Sequence, residues 1–103
     1  MQRRTAFFVL MALAAGTGSS LAADAGNGER LAQRWCASCH AVSMSQQQAS
    51  ADVAPFSAVA RMPQFDAQKL AFFLLAPHPK MPDMALSRGE AEDLTAYIAT
   101  QKP

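Results

Sequence analysis

The chain has 103 residues, half of them apolar, and nine Lys and Arg stand against eight Asp and Glu. So even a balance lacks the strongly basic patch that nucleic-acid binding usually shows, and it argues against that class of partner. Only two cysteines and two histidines are present, so a zinc site closed by four protein ligands would have to gather all of them.

Residues 1–22 have the order of a secretory signal peptide. Arg3 and Arg4 form a positive start, ten apolar residues run from Ala6 to Ala15, and Gly16-Thr17-Gly18-Ser19-Ser20 breaks the run. Ser20-Leu21-Ala22 then offers small residues at the two positions a signal peptidase inspects. Ten apolar residues fall well short of the roughly 20 needed to cross a bilayer. A cleaved signal is therefore expected rather than a retained anchor, with Ala23 as the new N-terminus. Loss of Arg3 and Arg4 leaves seven basic residues against eight acidic ones, a net charge of −1, on residues 23–103. With no acylatable cysteine near the cleavage point, the mature domain is expected to be soluble and not membrane-spanning. A domain this small rarely builds a sufficient apolar core from its own side chains.

Ala25 to Trp35 reads as the first helix, with Asp24 or Asn27 as its N-cap. Gly28, Leu31, Ala32 and Trp35 fall on one stripe of it. Gly28 lacks a side chain, which suits either a close helix crossing or a frayed first turn.

The stretch Cys36-Ala37-Ser38-Cys39-His40 follows at once, and it uses both cysteines of the chain. In one helical turn, residues three and four apart leave the same face. Two thiols so placed can form thioethers with the two vinyl groups of a porphyrin, while the His40 imidazole reaches the iron. C-x-x-C-H is the attachment signature of c-type haem. A thiol–disulfide centre is the rival, but such centres sit where a strand enters a helix, and what precedes Trp35 reads as helix. Export also fits, since a bare C-x-x-C pair in an oxidising compartment tends to close into a disulfide. A covalently held porphyrin would supply the missing core and make metal and fold one thermodynamic unit.

Ala41 to Asp52 is polar and reads as a surface loop, with Gln46-Gln47-Gln48 in its middle. An apolar return begins at Ala54-Pro55-Phe56, and Ser57 to Arg61 reads as a short helical turn. Asp66 caps a predicted helix over Ala67 to Ala76, which Pro77 ends. Phe72-Phe73-Leu74-Leu75 makes that helix apolar nearly all round, which predicts burial on more than one side. Pro77, Pro79 and Pro82 hold the next stretch extended. This rigid loop carries His78, Met81 and Met84. Ser87-Arg88-Gly89-Glu90 matches a capping box, and Glu90, Glu92 and Asp93 suit the positive end of a helix dipole. Ala91, Leu94, Tyr97 and Ile98 form the apolar stripe of a helix running to about Gln101. No β-period alternation occurs, so the predicted fold class is all-α.

With three helices, C-x-x-C-H closing the first and a Lys80-Met81-Pro82 loop before the last, the chain resembles small bacterial class I cytochromes c. The resemblance spans essentially residues 23–103. It implies three main helices wrapped around one covalent haem c, held by Cys36, Cys39 and His40. The family crosses its first and last helices at a Gly/aromatic contact, which sets Gly28 against Leu94 and Tyr97. Ala32 falls at a first-helix position that is often aromatic, with Trp35 as a compensating ring. A proline after the haem motif lends its carbonyl to the proximal His, and Pro55 matches it. The axial methionine precedes a proline, which selects Met81; Met84, Met62 (before Pro63) and His78 are rival donors. Thioether sulfur favours Fe(II), so His/Met ligation raises the potential over His alone. The implied function is that of a periplasmic electron carrier, not an enzyme, taking one electron from a dehydrogenase or membrane complex and passing it to an oxidase, reductase or peroxidase. The alternatives are a haem subunit fixed in a multi-subunit oxidoreductase and a ligand-binding haem protein with an open sixth site.

Overall fold

The capping box at Ser87 forms as the sequence predicts. Ser87 Oγ accepts from the Glu90 amide at 3.1 Å, and Glu90 Oε1 accepts from the Ser87 amide at 3.0 Å. The computed structural model describes residues 22–46, 48–76 and 80–103. Residues 1–21, on which the expected signal segment falls, and Pro77-His78-Pro79, with the rival ligand His78, lie outside the described residues.

Four helices follow in order: α1 (Ala25–Trp35), α2 (Phe56–Ala60), α3 (Ala67–Leu75) and α4 (Arg88–Thr100). Among the described residues there is no strand. The all-α fold stands, with three main helices and one short one. Each of α1, α2 and α3 packs on α4. That hub role follows from its stripe, because Ala91, Leu94, Tyr97 and Ile98 are all buried. Among the described residues no helix is long and apolar enough to cross a membrane.

Asp24 is the N-cap of α1, accepting from the Asn27 amide at 3.0 Å. Gly28 sits at the crossing with α4. A Cβ added there would overlap the Asp93 carbonyl and lie 2.8 Å from Tyr97 Cβ. The atoms nearest that position belong to Tyr97, as the resemblance implies, and to the backbone of Asp93. Asp93 ties the same crossing from α4. Its two carboxylate oxygens accept from the Asp24 amide at 2.7 Å and from Asn27 Nδ2 at 2.9 Å. This carboxylate thus serves the N-terminus of α1 rather than that of its own helix.

Two sequence readings need correction. Trp35 is 40 % exposed and does not join the α1 stripe, although Ala32 is fully buried. The Arg34 guanidinium stacks 4.9 Å from the indole centroid, which covers the ring on the solvent side. Cys36 takes the interior position instead. In α3, only Ala71 is buried, while Phe72 and Phe73 are 67 % and 51 % exposed. The reason is that α4 alone among the helices packs against α3. One protein neighbour can cover only one side of a helix that is apolar all round.

Candidate functional site

The C-x-x-C-H turn prolongs α1 by one winding. The Cys36 amide donates to Ala32 O at 2.9 Å, and the His40 amide donates to Cys36 O at 2.9 Å. Cys36 is buried, His40 half-buried and Cys39 exposed, and both thiols are free. Burial pushes the Cys36 thiol up to about 11, so its sulfur sits neutral in an apolar setting.

Cys36, His40 and Met81 line one cavity of about 90 Å³. Phe56 and Val59 of α2, Leu70, Phe73 and Leu74 of α3, and Leu94 and Ile98 of α4 line the rest of it. Cys39 is not among the residues lining it. A larger groove of about 530 Å³ runs between α3 and α4, bordered by Phe72, Leu75, Arg88 and Glu92. None of the motif side chains reaches that groove, so the smaller cavity is the candidate site.

The His40 ring is oriented by two neighbours. Nδ1 lies 2.6 Å from the carbonyl of Ala54, and its ring stands 5.5 Å from that of Phe56. A carbonyl only accepts, so Nδ1 carries the proton and Nε2 keeps its lone pair for a metal. The resemblance pointed to the Pro55 carbonyl for this role, and the structure corrects it by one residue. Pro55 is the N-cap of α2, and its oxygen accepts from the Ala58 and Val59 amides. Only the preceding carbonyl is left to turn toward His40.

Met81 and Met84 differ in placement. Met84 is buried in the core cluster and does not line the cavity, whereas Met81 is half-buried and does. Ala85 takes the left-handed conformation with φ 49, and its amide donates to Asp83 Oδ1 at 2.9 Å. Alanine in that region costs about 1–2 kcal/mol, so the loop holds a conformation it would not adopt freely. Met62 is exposed and lies away from the cavity lining.

The donor set fits a haem. Neutral imidazole nitrogen and thioether sulfur suit an iron that alternates between Fe(II) and Fe(III), and low polarity around them is a lever on its potential. Seating a porphyrin requires the walls of this small cavity to stand farther apart.

The comparisons show the family. A family model described as cytochrome c oxidase, cbb3-type, subunit III, matches residues 23–98. The chain belongs to this family of c-type cytochromes. A protein named cytochrome c-552 from Bradyrhizobium diazoefficiens (strain USDA 110) is 58 % identical over 95 residues. The match spans 92 % of this chain and 91 % of that protein. No solved structure matches the chain. The cytochrome is a monohaem electron-transfer protein with covalently bound haem c, not an enzyme, and its partners are redox proteins.

Two groups that serve the cytochrome's site escaped the sequence reading. Tyr97 is expected in the α4 stripe and against Gly28, yet its hydroxyl also donates to Val42 O at 2.7 Å. Gln46, assigned to a surface loop, hydrogen-bonds the motif itself. Neither carries a local sequence signal, because each bond joins groups whose meeting depends on the folded chain.

Proposed function

We propose that the cytochrome is a periplasmic single-electron carrier, released by cleavage after Ala22. Cys36 and Cys39 bind the porphyrin as thioethers, and His40 and Met81 are the axial ligands. One observation carries the reading: Cys36, His40 and Met81 line the same apolar cavity, and the His40 Nδ1 proton is already engaged by Ala54. Two retained axial ligands keep the iron six-coordinate in both oxidation states, so little must move as the electron passes. A family match that begins at residue 23 supports the domain boundary, and the signal-like order of residues 1–22 supports export.

The test is an optical spectrum of the purified holoprotein with a carbon monoxide challenge. A carrier with both axial positions filled gives a low-spin spectrum with a weak red-edge iron–sulfur band and does not bind carbon monoxide. A high-spin spectrum and ready carbon monoxide binding would overturn it in favour of an open sixth site.

A second reading has its own support. The matching family model is described as an oxidase subunit, which fits a haem subunit held permanently in a complex. Purification from the native source separates the two, since a carrier elutes as a small free protein and a subunit with its complex.

A further inference from the structure

Gln46 uses every polar atom of its side chain. Nε2 donates toward three carbonyls, those of Ala37 at 2.9 Å, His40 at 2.8 Å and Gln48 at 2.6 Å. Oε1 accepts from the Val42 amide at 2.9 Å. The amide has two protons for three acceptors, so one N–H is shared. Its orientation is fixed, because the flipped amide would set oxygen against three carbonyl oxygens. Two of those carbonyls, Ala37 and His40, belong to the haem-attachment turn. Val42, at the other end of the side chain, is fastened to α4 through Tyr97.

We propose that Gln46 is a positioning residue for His40. The inference rests on His40 being the proximal ligand. The side chain binds the attachment turn to the loop that returns from it. His40 is then held at both ends, its backbone oxygen by Gln46 and its ring nitrogen by Ala54. Supporting groups behind a metal-bound imidazole set its ring plane and its basicity, and through them the metal's potential. With Gln46 removed, the turn loses two of its outside attachments, and Ala54 and Phe56 are left to hold the ring plane on a looser backbone.

Holoprotein carrying Gln46→Ala or Gln46→Glu tests this. Glutamate matches glutamine in size and can still accept from Val42, but it offers no donor to the three carbonyls. Both variants should redistribute the hyperfine-shifted haem-methyl resonances, which report the axial ligand planes, and lower the reduction potential. In the alanine variant, the Val42 amide should exchange on the order of tenfold faster. Asp93→Ala, which cuts the tie between α1 and α4, should cost stability and leave methyl shifts and potential where they were. Variants that lose stability alone, with wild-type methyl shifts and potential, would overturn the positioning role. Should neither variant take up haem, the wild-type protein decides. Its two Gln46 amide protons should be distinct and slow to exchange, and a freely averaging amide would refute the clamp. A wild-type spectrum without a histidine ligand would instead refute the ligand assignment, which those amide protons do not test.

Discussion

The hydroxyl of Tyr97, near the end of α4, donates a 2.7 Å hydrogen bond to the carbonyl of Val42, two residues beyond His40. The bond is buried and spans 55 residues of chain. It fastens the loop after the haem motif to the helix on which the other three pack. The Tyr97 ring also meets Phe56 edge-on at 6.3 Å, and Phe56 in turn meets His40. One side chain thus couples the hub of the fold to the His40 side of the site.

Removing that hydroxyl leaves the Val42 carbonyl buried without its partner. Tyr97→Phe should therefore cost about 1–3 kcal/mol, read as a lower urea midpoint in the holoprotein. An alkaline signature should accompany it. Burial first, and the Glu29 charge second, raise the Tyr97 phenol above its usual value of 10.0. The folded protein then keeps a proton that the unfolded chain gives up, so this stability is complete below about pH 10. It is lost as pH rises through the folded value. Tyr97→Phe should lack that alkaline decline, and an identical pH profile in both proteins would contradict the assignment.

Gly28→Ala tests how closely α1 and α4 cross. The added methyl overlaps the Asp93 carbonyl, so the helices must part, at a cost of about 1–3 kcal/mol or more. Thermal unfolding of the holoprotein measures it. An unchanged midpoint would mean that the crossing is looser than described.

Asp93→Ala removes acceptors for the Asp24 amide and for Asn27 Nδ2. Because the first of these bonds is exposed, the loss should be about 1 kcal/mol. It should appear first as faster amide exchange in the opening turn of α1. Retained protection there would show that the tie contributes nothing.

What the sequence revealed was local. The Asp24, Asp66 and Ser87 caps each act within three residues, and all three form. The stripe of α4 is a period that burial reproduces residue by residue. C-x-x-C-H carries its own chemistry in five consecutive positions. What stayed hidden depends on how the folded chain brings groups together. Asp93 looked like a helix-dipole residue because its real partners lie 66 and 69 positions away. Gln46 looked like loop because no pattern marks an amide that folds back on carbonyls. The Phe72-Phe73 pair showed that α3 wants cover, but an apolar helix does not specify what covers it. The one-residue error at Pro55 has the same origin, since which carbonyl faces His40 depends on where α2 begins.

The central claim, that His40 and Met81 hold the iron, is tested most directly by the optical spectra of two holoprotein variants, Met81→Ala and Met84→Ala. Met81 lines the cavity and Met84 fills the core. Met81→Ala should lose the red-edge iron–sulfur band, lower the reduction potential and bind carbon monoxide. Met84→Ala should keep the band while losing about 2–5 kcal/mol of stability to the space it leaves. The reverse pattern, with the band lost in Met84→Ala and kept in Met81→Ala, would contradict the account.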